Sequence, residues 1–259
     1  NRSAARKIRE AIVADPSQDR LHPEVQEIVR TIRTTPVSDP VSASECLQPA
    51  FLGLITTRSC QGACRYCGFQ PEASADGNID LGLCAQMIEW MGQTARDLDR
   101  EILEVHLFGG EPSLAKEAVD FIVHKTRFVA AELYLRPHLE ITTNGVMAEE
   151  RIRWIGEHFN TVVLSLDGSQ KAHDVHRPLR DGRGSWTYAH AAARRLSDSS
   201  ADLCLRCCIS NRNIDNLEET VLWMQKEFHP AVIDLETVAT TVDSAGAGIL
   251  APDPYEFAA

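Results

Sequence analysis

The sequence has no apolar run long enough to cross a lipid bilayer, and no apolar block follows its charged first residues, NRSAARKIREAIVADPS. A bilayer-spanning helix needs about 20 mostly apolar residues, and a secretory signal needs an apolar stretch near its start. Positive charge is also scarce, because 26 lysines and arginines stand against 37 aspartates and glutamates, for a net charge of −11. These absences predict a protein with no membrane and no nucleic-acid partner, although a local basic pocket is still allowed.

The chain lacks the export features that accompany disulfide-rich proteins, yet it contains eight cysteines. We therefore expect a cytoplasmic protein whose thiols are reduced, bound to metal or packed in the core. Its 259 residues, 44% of them hydrophobic and 24% charged, are enough for one large α/β domain or for two small domains. The spacing of the cysteines is then more informative than their number.

Six short apolar runs of β type alternate with amphipathic helical patterns from Phe51 onward. The runs cover residues 51–57, 104–110, 139–145, 161–168, 202–211 and 231–238. The helical patterns between them cover residues 81–98, 114–133, 148–159, 185–197 and 214–228. This alternation predicts parallel strands joined by right-handed crossovers, either as an open doubly wound sheet or as an incomplete barrel.

Polar or glycine-rich sequence follows each predicted strand and does not precede it. In chain order, the strands are followed by the first cysteines and then by GGEP, TTNG, SLDG, SNRN and LETV. Because the carboxyl ends of parallel strands lie at one edge of the sheet, these segments predict a single pocket there.

Three cysteines in the segment CQGACRYCGF, Cys60, Cys64 and Cys67, are the strongest local signal. A structural zinc site normally takes four ligands, and here the fourth would have to come through the fold from Cys84 or Cys46. A four-iron cluster of the electron-transfer type also takes four thiolates. Three thiolates would leave one iron open to an external ligand.

The pattern C-x-x-x-C-x-x-C with an aromatic residue before the last cysteine, followed by GGEP, resembles the radical S-adenosylmethionine (SAM) enzymes. The resemblance implies that Cys60, Cys64 and Cys67 hold a [4Fe-4S] cluster whose fourth iron is chelated by the methionyl amine and carboxylate of SAM. It also implies reductive cleavage of SAM to a 5′-deoxyadenosyl radical that abstracts hydrogen from substrate. The implied fold is an α/β partial (β/α)6 TIM-like barrel.

The same resemblance implies a set of SAM-binding residues. They are Tyr66, Gly109, Gly110, Glu111, Thr143, Asn144, Ser165, Arg177, Ile209 and Asn211. The GGE segment would bind the methionyl amine, and Arg177 would bind the carboxylate. The adenine would lie near Ile209 to Asn211 and against the backbone of Tyr66. No catalytic acid or base is identified.

Each of these segments also has a structural interpretation. GGEP could be a plain strand-to-helix turn, and Asn144-Gly145 and Asp167-Gly168 are common turn pairs, in which Asp167 would order its own loop. The stretch from Ala172, AHDVHRPLRDGRGSW, could be a solvated basic loop, and its His173, His176 and Arg180 are as consistent with structural or surface roles.

SLDG, followed by His-Asp and by an arginine twelve residues after the serine, resembles the peptide-modifying SPASM/twitch branch, which includes RiPP maturases and sulfatase-maturating enzymes. This implies a peptide or protein substrate, such as a ribosomal precursor peptide, and a flavodoxin or ferredoxin electron donor. No cysteine follows Cys208, and LAPDPYEFAA resembles the passage into a Cys-rich domain. Auxiliary iron-sulfur clusters would therefore lie in a region beyond this chain.

The predicted organisation has three parts. They are an N-terminal helical extension and connector at 1–50, the radical SAM partial barrel at 51–241, and a linker or the start of a C-terminal SPASM/twitch-like region at 242–259. Two other functions stay open: chemistry on a small molecule with the same cofactors, and a non-catalytic metal-binding or redox-sensing module built on the three cysteines.

The sequence does not favour a second cluster at the cysteines of the fifth strand, Cys204, Cys207 and Cys208. At a period of two residues, Cys204 and Cys208 share one face and Cys207 takes the other, so we expect buried small hydrophobes.

Overall fold

The computed structural model describes residues 48–69, 77–239 and 242–253. The described residues from Pro49 onward belong to one compact unit. The predicted N-terminal helical extension and most of the connector lie outside the described residues, so the predicted domain boundaries stay predictions.

Six parallel strands form one sheet in the order of the sequence, β1-β2-β3-β4-β5-β6. The strands are β1 (Leu52–Ile55), β2 (Ile102–Phe108), β3 (Arg136–Thr143), β4 (Thr161–Ser165), β5 (Asp202–Ile209) and β6 (Val232–Thr237). The helices are α1 (Leu81–Asp97), α2 (Lys116–Glu132), α3 (Glu149–His158), α4 (Gln170–His176), α5 (Trp186–Ser197), α6 (Leu217–Phe228) and α7 (Val242–Gly246). Short 3-10 turns at Pro112–Leu114 and Ile214–Asn216 precede α2 and α6.

The sequential strand order decides between the two architectures that the sequence allowed. In a doubly wound sheet the order reverses, whereas here every new strand is added on the same side of the preceding one. Among the described residues β1 and β6 remain the two edges, so the barrel is incomplete. The predicted partial (β/α)6 barrel is confirmed.

The hydrophobic core lies between the sheet and the surrounding helices. Alternate side chains of β2, Leu103, Val105 and Leu107, are fully buried, because every second residue of a strand points to the same face. They pack with apolar residues of the helices such as Ile88 of α1 and Ile122 of α2. Burial of this face fixes the register of each strand.

The inner, concave face of the sheet is polar. His106 of β2 lies 2.7 Å from a carboxylate oxygen of Glu104 and 3.4 Å from one of Glu140 on β3. Farther along the sheet, the Nε of Arg206 donates to Asp234 over 2.8 Å. A closed TIM barrel fills this space with layers of bulky apolar side chains. The concave face here carries polar and charged side chains instead.

The helix α4 was missed by the sequence interpretation, which offered this stretch as a solvated loop. Its N-cap is Ser169, whose hydroxyl accepts a hydrogen bond from the backbone N–H of Ala172 over 3.4 Å. His173, His176 and the C-cap residue Arg177 are all buried. The loop interpretation is therefore wrong, because these polar side chains point into the protein.

The fifth strand has the predicted alternation of its cysteines. Cys207 is fully buried among the core residues that face the helices, whereas Cys204 and Cys208 lie on the opposite face. After β6, Ile249 packs against Cys208 and Val238, so the segment that follows α7 is attached to the barrel. Within the described part of the chain, no helix is long and apolar enough to cross a membrane.

Replacing Leu107 by alanine tests the assignment of the core. Leu107 is fully buried on the core face of β2, so the cavity left behind should lower the free energy of unfolding by about 2 to 5 kcal/mol. The matched control is Leu222→Ala on α6, where the side chain is 57% exposed and the cost should be about 0.5 kcal/mol or less. Urea unfolding followed by circular dichroism measures both, and equal losses would contradict the assignment.

Candidate functional site

One cavity lies at the carboxyl edge of the sheet, where the sequence predicted it, and has a volume of about 160 Å³. Its walls come from the ends of β1 to β4 and from the residue that follows α4. It is lined by Cys60, Gly62, Cys64, Tyr66, Cys67, Phe108, Gly109, Gly110, Glu111, Thr142, Thr143, Asn144, Ser165 and Arg177. Eleven of the thirteen predicted site residues are among them, and Gly62, Phe108 and Thr142 are additions that the sequence analysis missed.

The three cysteines lie on a loop after β1 that is fixed by pairing with the segment after α4. Gly62 and Leu179 form an antiparallel bridge. Three backbone hydrogen bonds extend it: Ala63 N–H to Pro178 O (2.7 Å), Arg65 N–H to His176 O (2.9 Å) and Arg180 N–H to Gln61 O (3.0 Å). The cysteine loop is therefore one strand of a short ribbon and its position depends on α4.

The donor set fits a multi-iron cluster better than a single ion. Among the described residues, no three Cys, His, Asp or Glu side chains converge closely enough to hold one metal ion. Cys84 is fully buried in the core side of α1, so it is not the fourth ligand of a zinc site, and Cys46 lies outside the described residues. In a cluster, each thiolate binds a different iron around a shared space. A Cβ at Gly62 would lie 3.4 and 3.6 Å from the sulfurs of Cys60 and Cys64, so the backbone of Gly62 lies directly beside these two thiols.

Burial makes the thiols of Cys60 and Cys64 weaker acids. It raises the pKa of Cys60, and it raises the pKa of Cys64 to about 11 against the opposing charge of Arg177. Thiolates are the metal-binding form, so iron binding must displace protons from the loop. Two N–H groups face the sulfur of Cys60, that of Gly62 at 3.3 Å and the side-chain amide of Asn144 at 3.6 Å.

The glycines of GGEP allow their own backbone to contact the backbone of residues 57–59, where the cysteine loop begins. Gly110 N–H donates to Thr57 O over 2.9 Å, and a Cβ added at Gly110 would lie 2.2 Å from Ser59 O. Gly109 has a φ of +145°, a conformation that side chains disfavour. The two glycines are thus required by the approach of the cysteine loop itself, in addition to any approach of a cofactor.

Glu111 presents a buried carboxylate to the cavity. It is 1% exposed and accepts hydrogen bonds from the Thr143 hydroxyl (2.8 Å), Asn144 N–H (2.8 Å) and Ser113 N–H (3.0 Å). Burial raises the pKa of Glu111 in spite of these donors. A cationic ligand in the cavity would stabilise the ionised carboxylate.

Arg177 supplies the opposite charge on the same cavity. It is 8% exposed, its Nε donates to Asp167 over 2.8 Å, and its guanidinium carbon lies 5.2 Å from the centre of the Tyr66 ring. Asp167 does not order only its own loop, as the sequence suggested. Its carboxylate also accepts from the Tyr66 hydroxyl (2.6 Å) and from Cys208 N–H (2.9 Å).

Around this pair, two histidines have structural roles and are not surface residues. Burial lowers the pKa of His173 to about 4, so its ring is neutral, and its Nδ1 accepts from Asp167 N–H over 3.1 Å. The ring of His176 lies 3.1 Å from the Asp167 carboxylate and 2.8 Å from the Ser210 hydroxyl. Both rings extend the network that holds Asp167.

The structure does not bring Ile209 or Asn211 to the cavity. Ile209 is fully buried on the core side of β5. Asn211 is exposed, and its side-chain oxygen accepts from Leu250 N–H over 3.0 Å. Their assignment to the adenine of SAM stays a prediction.

The sequence profile of the Radical SAM superfamily matches residues 54–224. The chain belongs to this superfamily. The match includes all three loop cysteines, GGEP, SLDG and Arg177. Radical SAM proteins use a [4Fe-4S] cluster and SAM, and the three thiols, the buried carboxylate and the arginine of this cavity fit both groups.

Three known proteins illustrate the relationship. The chain is 28% identical over 159 residues to a serine-type anaerobic sulfatase-maturating enzyme of Klebsiella aerogenes, covering 59% of this chain and 38% of that protein. It is 25% identical over 168 residues to a PqqA peptide cyclase of Rhizobium meliloti (strain 1021), covering 64% and 41%. The solved structure of native anSMEcpe with bound AdoMet matches with a TM-score of 0.60 at 18% identity, covering 73% of this chain and 51% of that chain.

Each of these matches covers only part of the related protein. The chain spans about two fifths of the two curated relatives and about half of the solved structure. The structural likeness, at 18% identity, establishes the shared fold. It agrees with the six-stranded partial barrel described above.

Gly110→Ala tests the contact between GGEP and the cysteine loop. The added Cβ would meet the backbone of Ser59, which cannot move without displacing Cys60, so most of the iron should be lost after anaerobic reconstitution. Gly68→Ala is the matched control on the same loop, because a Cβ there meets nothing within 4 Å. Iron and sulfide analysis decides the matter, and full loading of Gly110→Ala would show that the contact is dispensable.

Proposed function

We propose that this protein is a radical SAM enzyme that abstracts hydrogen from a residue of a ribosomal peptide or protein, leading to a crosslink, an epimer or an oxidised side chain. The observation that carries the proposal is that one cavity combines three thiols, a buried carboxylate and a buried arginine. When bound, the cluster and SAM supply reductive cleavage of SAM and the hydrogen abstraction that follows.

The residues of the chain would have separate tasks. Cys60, Cys64 and Cys67 hold the cluster by their thiolates. Glu111 and Arg177 place a negative and a positive group on the same cavity, which matches the ammonium and carboxylate of the methionyl group. An arginine suits the carboxylate because its planar guanidinium can donate two parallel hydrogen bonds.

A peptide substrate is supported by the relatives and by the form of the barrel. The two curated relatives are named for actions on a sulfatase and on the peptide PqqA. The concave face beside the cavity is polar, with His106 on β2, Glu140 on β3 and Arg206 on β5, and offers charged and hydrogen-bonding groups to a bound chain. A flavodoxin or ferredoxin is the proposed electron donor, and auxiliary clusters are proposed for a region beyond this chain.

The first test is SAM cleavage by the reconstituted protein. After anaerobic loading we expect about four irons per chain. Addition of SAM and dithionite should yield 5′-deoxyadenosine, measured by liquid chromatography. Cys64→Ser should abolish the product, whereas Cys204→Ser, on the inner face of β5 and outside the cavity, should retain it. Zinc in place of iron, or no 5′-deoxyadenosine, would favour a non-catalytic metal-binding or redox-sensing module.

The substrate class needs a separate measurement. Candidate precursor peptides, incubated with the loaded protein, SAM and reductant, should change in mass by tandem mass spectrometry at one residue. SAM cleavage that proceeds without any change in peptides, but modifies a small molecule, would contradict the peptide proposal and leave the radical chemistry intact.

Glu111→Gln tests the carboxylate wall of the cavity. Removing the charge should raise the dissociation constant for SAM about 10- to 100-fold, because a hydrogen bond to a charged group contributes about 1.5 to 3 kcal/mol. Cluster loading should be unchanged. Glu117→Gln, at an exposed position in the first turn of α2, is the control and should bind SAM normally. Isothermal titration of cluster-loaded protein measures both variants, and unaltered binding by Glu111→Gln would rule out the contact with the amine.

A further inference from the structure

Asp167 does not line the cavity, yet it is hydrogen-bonded to two residues that do. Its carboxylate accepts from the Arg177 guanidinium and the Tyr66 hydroxyl, while its other oxygen is held by Cys208 N–H on β5. The side chain is fully buried. A carboxylate in this position lies behind the cavity wall and contacts two side chains that line the cavity.

The orientation of Arg177 depends on Asp167. A buried guanidinium needs a counter-charge, and within the described chain the ion pair of Arg177 is with Asp167. Its terminal nitrogen Nη2 also lies 3.4 Å from the Cys208 sulfur, and its charge lies over the Tyr66 ring. Burial alone would raise the pKa of Asp167, but the charge of Arg177 and the hydrogen-bond donors hold that pKa well below its usual range.

The same carboxylate also fixes the cysteine loop. Tyr66 lies between Cys64 and Cys67, and its hydroxyl donates to Asp167 across a sequence separation of 101 residues. Its ring packs edge-on against His176, 5.6 Å between centroids. Asp167 is therefore in direct contact with one residue of the loop and, through Arg177, with the opposite part of the cavity.

We propose that Asp167 is a positioning residue that orients Arg177 toward the carboxylate of SAM and, through Tyr66, holds the loop that carries the cluster ligands. The first half of this proposal rests on the proposed function, since it assigns Arg177 to SAM. The second half depends only on the loop. Variants that remove either the contact of Asp167 with Arg177 or its contact with Tyr66 test the two halves separately.

The central variant is Asp167→Asn, which keeps the shape of the side chain and removes its charge. An amide nitrogen in place of one oxygen would face donors, so Arg177 would lose its acceptor. We expect the dissociation constant for SAM to rise about 10- to 100-fold in cluster-loaded protein. Asp174→Asn is the matched control. Asp174, on the same helix α4, accepts from Trp186 N–H and should leave SAM binding unchanged.

A double-mutant cycle shows whether Asp167 acts through Arg177. Arg177→Lys alone should weaken SAM binding to a similar extent, and the double variant should be no more than about twofold weaker than the worse single variant. If the increases in the dissociation constant for SAM caused by the two single substitutions multiply in the double variant, Asp167 does not act through Arg177. If Arg177→Lys binds SAM normally, the role of Arg177 in the proposed function fails, while the link to the loop is still decided by the next measurement.

The loop is tested by the rate at which a chelator removes iron. Tyr66→Phe removes the hydroxyl that donates to Asp167, so it should lose iron several-fold faster than the wild type, a defect separate from weaker SAM binding. Asp167→Asn should show both defects, and Arg177→Lys only the weaker SAM binding. If Asp167→Asn does not fold, Tyr66→Phe still decides the link, because an unchanged rate of iron loss overturns it. A folded Asp167→Asn with normal SAM affinity and normal iron loss overturns the whole proposal.

Discussion

The parallel pairing of six strands in the order of the sequence is the constraint on which the site depends. It brings every strand-to-helix loop to one edge, so groups that are far apart in the chain become neighbours. Asn144 reaches the sulfur of Cys60 across 84 residues, and the Arg180 side chain donates to the carbonyl of Cys60 across 120 residues. None of these contacts needs an unusual local structure, because the sheet supplies the proximity.

The apolar core and the candidate site occupy different surfaces of the sheet. The outer face of the sheet and the inner sides of the helices form the apolar core, which carries most of the burial. The inner face and the carboxyl edge are left free for polar groups, many of which are hydrogen-bonded to one another. Asp167, Arg177 and the neutral His173 are a buried example. Asp167 accepts from Arg177 and donates its backbone N–H to His173, and the charge of its carboxylate is balanced by the guanidinium.

Much of the fold follows from periodicity, and the failures have identifiable physical causes. The six strands were predictable because short apolar runs alternate with amphipathic helices. The helix α4 was not, because seven residues with two histidines and one aspartate have no apolar stripe at helical spacing. Ile209, which the resemblance assigns to the cofactor, lies beside Cys207 on the core face of β5, and its assignment stays a prediction.

The site was predictable in composition but not in its connections. The cysteines, GGEP and Arg177 were identified from motifs, and the structure brings them to one cavity. The contact of Gly110 with Ser59 and the role of Asp167 depend on distances through space, to which an isolated Asp-Gly pair gives no clue.

The hydrogen bond from Tyr66 to Asp167 closes a loop of the chain that contains β2, β3 and β4. Such a long-range contact forms late, since the entropy of closing the loop is offset only when the intervening strands have paired. On this argument the cluster-binding site forms after the strands have paired and does not start folding. Small zinc domains differ, because they fold around their metal ion. We therefore expect the cluster to be delivered to a chain that is already assembled.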